Sequence, residues 1–250
     1  MTRTAILSAL IDEQRSLIAA LENAEQVSHA GRRFNLGTLY GQPVVLGLSR
    51  IGKVAAATTA TALIEKFGAT RMLFTGVAGG LGPGVNVGDL VLAEEFIQHD
   101  LDSSPIVPRY EVPLYGKSRF ATDTALNALL LQSATTVFAQ ADTWLDATVR
   151  QTYGIAEMRI HGGLVASGDR FVSTSAESRR LQQELPDALA VEMEGAAVAQ
   201  VCFDYGLPFA AIRTISDRAD DDAHANFSNF VRDVASHYSH AVLAGFLQSL

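Results

Sequence analysis

Cysteine is nearly absent from this chain. Cys202 is the only one in 250 residues, which excludes an internal disulfide and a cysteine-based zinc knuckle. It lies among apolar residues on a predicted helix and reads as a small buried hydrophobe. Basic residues are sparse too, with 19 Lys and Arg against 27 Asp and Glu and a net charge of −8. The only basic doublets are Arg32 with Arg33 and Arg179 with Arg180, so a nucleic-acid surface is not expected. No apolar run reaches the length of a membrane span. The short run at 5–11 meets Asp12 and Glu13 at once, unlike a signal peptide, and a cytoplasmic protein is expected. The 7 prolines and 20 glycines are scattered rather than gathered into a linker. With no internal repeat or low-complexity tract, one domain over residues 1–250 is the simplest organisation.

Several chemical motifs are missing as well. The six histidines (His29, His99, His161, His224, His237 and His240) show no H-E-x-x-H or other metal spacing, and no metal is expected. His237 and His240, three apart on a predicted helix, read as surface residues. No G-K-[ST] completes a P-loop, and no G-x-S-x-G marks a serine hydrolase elbow.

Hydrophobic content of 48% is ample for a large core. A strand is predicted at 4–10 and a helix at 12–21, with Asp12 and Glu13 suited to its N-terminus. Residues 34–40 and 43–48 flank Gly41-Gln42 as a hairpin. A helix at 53–67 stops at Gly68, and a buried strand at 71–75 runs into G-V-A-G-G-L-G-P-G. A strand at 87–97 follows, then a long loop over 100–120 broken by Pro105, Pro108 and Pro113. Helices are predicted at 122–139 and 145–153, a strand at 158–166, a helix at 176–185 and a final helix at 226–247. Strands alternating with helices through the second half argue for an α/β sheet wrapped by helices.

Carboxylates supply the strongest chemical signal. In L-A-V-E-M-E-G-A-A, apolar Ala190, Val191 and Met193 read as a buried strand that Glu192 and Glu194 interrupt. Burying a carboxylate is costly unless it is paired or protonated. A second buried strand, 209–215, ends at Arg213, Ser216 and Asp217, and strand carboxyl ends are where open α/β sheets bind ligands. The alternatives are an exposed strand terminus for the glutamates and a turn cap for Asp217. The glycine run 76–84 is either a tight crossing loop or a ligand-facing wall without Cβ atoms. Arg50, before a helix start, either holds a phosphate or is simply solvated.

S-G-D-R-F-V at 167–172, A-V-E-M-E-G-A-A at 190–197 and R-T-I-S-D-R-A-D at 213–220 together resemble the nucleoside phosphorylase and nucleosidase superfamily. The resemblance is nearest to its 5′-methylthioadenosine/S-adenosylhomocysteine nucleosidases. I-G-K-V-A-A-A at 51–57, T-G-V-A-G-G-L at 75–81, V-G-D-L-V at 87–91 and A-I-L-S-A-L-I-D-E at 5–13 match in order. The likeness is weakest from about 100 to 155. It implies a single-domain three-layer α/β/α sandwich with a central mixed twisted sheet. It also implies a homodimer, no cofactor, and hydrolysis of the N-glycosidic bond of a small adenine nucleoside.

Residue by residue, the resemblance makes Asp217 the general acid at purine N7 and Glu13 the group that deprotonates water. Glu194 would hold a ribose hydroxyl and face the cationic sugar, with Arg213 near these acids. Phe171 would stack on adenine and the Val172 backbone would read its edge. Met193 and Glu192 would line the ribose, and Ile51 and Phe227 would border the 5′-substituent. Ala9, Val77, Ala78, Gly79 and Ser216 complete the substrate-binding set. Three positions depart from the pattern. Val77 replaces a common hydroxyl residue, Arg50 replaces a glycine and Leu10 replaces a methionine. Arg50 keeps a phosphate-dependent phosphorylase open as a second reading, and a non-catalytic nucleoside-binding protein is the third.

Overall fold

The computed structural model describes residues 2–220 and 227–250, apart from the side chain of Asp142. In chain order the elements are β1 (Thr4–Ser8), α1 (Ile11–Ala19), β2 (Glu22–His29), β3 (Arg32–Leu39), β4 (Gln42–Leu48) and α2 (Lys53–Glu65). There follow β5 (Arg71–Gly80), β6 (Leu90–Gln98), β7 (Arg119–Ala121), α3 (Thr124–Ala139), α4 (Ala147–Tyr153), β8 (Ile160–Ser167) and α5 (Ser175–Glu184). The chain ends with β9 (Ala188–Glu192), α6 (Gly195–Tyr205), β10 (Phe209–Asp217), α7 (Phe227–Phe230) and α8 (Ser236–Gln248).

All ten strands join one mixed sheet in the order β10-β6-β8-β9-β5-β1-β4-β3-β2, with β7 on β6. β1 lies parallel to β4 and β5, whereas β9 runs antiparallel to β5. β10 pairs in parallel with β5 as well as antiparallel with β6, so the sheet curls until β5, β10, β6, β8 and β9 form a closed ring. One core packs α2 and α6 against the sheet, through Ala56, Ala60, Leu63, Val198 and Cys202. The other face is covered by α1, α3 and α8, through Leu17, Leu130, Val242 and Phe246. Three layers result, as the resemblance implies.

The hairpin register is Thr38 opposite Pro43 and Leu39 opposite Gln42. Its outer neighbour β2 is not anticipated, because E-N-A-E-Q-V-S-H has almost no apolar alternation. The strand is exposed nearly throughout and survives by pairing with β3. The glycine run is strand as far as Gly80, so of its two readings the crossing loop does not hold. Only Gly84 and Gly88 of that region adopt positive φ. The 100–120 loop does contain a bridge between Val112 and Lys117 before β7 begins. The last helix begins, in the sequence reading, at Asn226, which lies outside the described residues. Its middle widens into a π-turn at Val231–Ala235. Among the described residues no helix is long and apolar enough to cross a membrane.

Candidate active site

One cavity gathers every residue that the resemblance assigns to catalysis or substrate binding. Ala9, Glu13, Ile51, Val77, Ala78, Gly79, Phe171, Val172, Glu192, Met193, Glu194, Arg213, Ser216, Asp217 and Phe227 all line it. It encloses about 760 Å³ of empty space, part of it open to solvent, enough for a small-molecule ligand. Leu10, Phe74, Thr75, Gly76, Arg170 and Val191 complete the wall. Leu10 entered the sequence reading only as a departure from the family pattern. Thr75 and Gly76 were visible only as part of a strand. Arg170 carried no signal beyond its place in S-G-D-R-F-V.

Glu13 is fixed by backbone amides. It is the third residue of α1, and one carboxylate oxygen reaches back to accept from Ala9 N and Leu10 N, both at 2.9 Å. That bond to the residue before the helix is half of a capping box. The other oxygen accepts from Val77 N at 3.2 Å, across from β5. The site that lacks a hydroxyl side chain thus still contributes its amide. A Cβ at Gly76 would lie 2.9 Å from Glu13 Oε1, so the glycine is what lets the carboxylate pack against the strand. Burial raises Glu13 to about 7, against the pull of these amides and of Arg213.

Glu192 and Arg213 form a buried ion pair between β9 and β10, with Oε2 2.9 Å from Nη2. The guanidinium lies 4.0 Å over the Phe74 ring and also donates to the carbonyls of Phe74 and Ile212. Glu192 further accepts from the Ser167 hydroxyl, Glu194 N and Gly195 N. Its acceptor sites are filled by the protein, so its carboxylate orders the β9–α6 junction while it lines the cavity. Ser167 is a residue the sequence reading missed as an individual. Its hydroxyl joins Glu192 to Ala196 N, the start of α6.

Glu194, 6% exposed, accepts from Gly52 N at 2.7 Å. Burial and then the neighbouring Glu192 charge push it to about 8. Arg213 lies near Glu13 and Glu194, and its charge opposes the rise of both.

Asp217 is half-buried at the end of β10. The strand bulges there, with a register shift between Ile215 and Asp217, and the residue lines the cavity. It accepts from the Ser216 hydroxyl at 2.7 Å and from Ala219 N at 2.8 Å. Gly79 again permits the approach, because a Cβ there would come within 3.0 Å of Asp217 Oδ1. Phe171 and Phe227 meet edge to face at 6.2 Å at the mouth, beside the exposed Ile51.

The phosphate site suggested by Arg50 does not form. Arg50 turns to the β2–β3 turn and donates to Gly31 O at 2.5 Å. At the N-terminus of α2, Gly52 N binds Glu194 and Lys53 N binds Asp169 at 2.7 Å. Two carboxylates occupy the amides a phosphate would need, and like charges there repel. His237 is exposed as expected, but His240 is half-buried and bonded to the Tyr40 hydroxyl at 2.7 Å. Among the described residues no three His, Cys, Asp or Glu side chains are arranged to hold a metal ion.

Comparison with known proteins identifies the family. The sequence pattern of the phosphorylase superfamily matches residues 3–248. A 5′-methylthioadenosine/S-adenosylhomocysteine nucleosidase from Geobacillus thermodenitrificans is 36% identical over 243 residues, covering 97% of this chain and 95% of the relative. Its counterpart from Chromohalobacter salexigens is 34% identical, covering 95% and 93%. The crystal structure of the Neisseria meningitidis nucleosidase with methylthio-immucillin-A superposes with a TM-score of 0.86 at 34% identity, covering 100% of both chains.

Proposed function

The chain belongs to the phosphorylase superfamily and, within it, to the 5′-methylthioadenosine/S-adenosylhomocysteine nucleosidases, and from that premise we infer a hydrolase of 5′-substituted adenine nucleosides. It splits the N-glycosidic bond of methylthioadenosine and S-adenosylhomocysteine into adenine and the 5-substituted ribose. 5′-Deoxyadenosine shares the same recognised parts and is a further candidate substrate.

Adenine leaves poorly as an anion, so a proton must reach N7 as the bond breaks. Asp217 supplies it, and the electron pair of the C1′–N9 bond moves into the base. A positioned general acid contributes on the order of 10² to 10⁴ in rate. Water attacks C1′ from the other face and passes a proton to Glu13, whose pKa of about 7 suits a base at neutral pH. The ribosyl centre becomes cationic, and the Glu194 carboxylate stabilises it electrostatically. Phe171 stacks on the base, the Val172 backbone reads its edge, and Ile51 with Phe227 borders the 5′-group.

The observation that carries hydrolysis over phosphorolysis is the α2 N-terminus, closed by Glu194 and Asp169. Methylthioadenosine incubated with and without phosphate tests this. Equal adenine release in both is expected, and release that strictly requires phosphate would reject the hydrolase. A homodimer in the cytoplasm belongs to the same reading. Sedimentation at micromolar concentration and cell fractionation are its tests.

A further inference from the structure

Asp169 is exposed and stands outside the main cavity, yet it closes a ring of hydrogen bonds among three segments. Lys53 N donates to its Oδ1 at 2.7 Å, and Asp169 N donates to Asp100 Oδ2 at 2.8 Å. Asp100 Oδ1 takes the Lys53 ammonium at 2.6 Å, which completes the ring. Lys53 Nζ also reaches Gln98 Oε1 at 3.1 Å, and Gln98 donates to Gln200 of α6 at 2.8 Å. The end of β6, the loop after β8 and the start of α2 are thereby tied together.

Both ends of this tie lead into the cavity. Directly after Asp169 come Arg170, Phe171 and Val172, and directly before Lys53 come Ile51 and Gly52. Gly52 adopts φ +95°, and a Cβ there would lie 3.1 Å from Asp169 Oδ1, so the carboxylate packs against that backbone. The Gly52 amide is the one that holds Glu194 at 2.7 Å. No side chain of α2 itself caps that helix. Asp169 is the side chain that fills this role, through its hydrogen bond from Lys53 N.

We propose that Asp169 is a positioning residue for this reaction: by capping α2 it fixes the Gly52 amide against Glu194 and registers the Phe171–Val172 loop to the same frame. The proposal rests on the nucleosidase reading for its kinetic readout but not for its structural one. Loosening Gly52 N removes a contact that lowers the Glu194 pKa, leaving Glu192 and Glu13 to raise it and Arg213 alone to oppose them.

The test uses the full chain and the variants Asp169→Ala and Asp169→Asn. Asp169→Ala is expected to lower kcat/KM for methylthioadenosine on the order of tenfold or more, since small misplacements of reacting groups are costly. Its pH profile should shift in the alkaline direction. Asp169→Asn keeps an oxygen for Lys53 N and should restore most of both. Carbon-13 NMR titration of the Glu194 carboxyl reads the same alkaline shift without turnover. A native kinetic profile and an unmoved Glu194 titration in Asp169→Ala would overturn the proposal. Equal impairment of both variants would overturn it too, since charge rather than the hydrogen bond would then matter. If the native chain released no adenine while the NMR shift appeared, the nucleosidase reading would fail and this one would stand.

Discussion

In the proposed mechanism Asp217 donates a proton and Glu13 accepts one, and each role allows a separate test. Asp217→Asn is expected to abolish adenine release while leaving nucleoside binding by calorimetry largely intact. Unchanged turnover would remove it as the acid. Glu13→Gln should slow hydrolysis by on the order of 10² or more, the range for a lost general base. In the native enzyme kcat/KM should climb as pH rises through about 7, where Glu13 loses its proton. The same shift has a stability consequence of opposite sign. Glu13 and Glu194 are raised from 4.5 to about 7 and about 8, so burial favours their neutral forms. Their stabilising contribution is fully present below about pH 4.5 and is lost as pH rises through those folded values. For Glu13 this amounts to about 3 kcal/mol between pH 4 and 8. The melting temperature of Glu13→Gln relative to the native chain should therefore be higher at pH 8 than at pH 5. A difference that does not vary with pH would show that Glu13 titrates normally.

Strands β5 and β10 set the floor of the cavity, and glycine is what makes that floor usable. Gly76 and Gly79 have ordinary negative φ, so their value lies in space for Glu13 and Asp217 rather than in backbone freedom. Gly76→Ala would push its Cβ into a carboxylate held by three amides. Activity should fall at least tenfold, the scale of a misplaced catalytic group, and wild-type kinetics in that variant would disprove the steric role. The glycine cluster was conspicuous in the sequence, but its composition alone fitted a loop equally well. Pairing with β10 from Gly76 to Gly79, and with β9 through Gly79–Val191 and Gly80–Ala190, is what makes it strand. Strand β2 was invisible for a related reason, since its polar sequence carries no buried face to impose a period of two.

Across the whole molecule the buried Arg213–Glu192 pair ties β9 to β10 where the sheet closes on itself. Arg213→Met would leave Glu192 as an unpaired buried charge, costing about 3–5 kcal/mol. Urea denaturation at neutral pH should show this, and a loss below about 1 kcal/mol would mean that water replaces the guanidinium. The sequence alone determined the family, the mixed α/β architecture and the identity of the acids. Those depend on residue type and on order along the chain, which V-E-M-E followed by R-T-I-S-D preserves. Tertiary structure alone decided what each acid does. Glu192 is saturated by Ser167, Arg213 and its own helix amides, Glu194 is left to the Gly52 amide, and Asp217 stands half-open at a bulge. Arg50 was diverted to Gly31 by the same folding of distant segments. A partner such as Gly52 for Glu194, 142 residues away, cannot be read from local pattern, because it exists only once the sheet has curled shut.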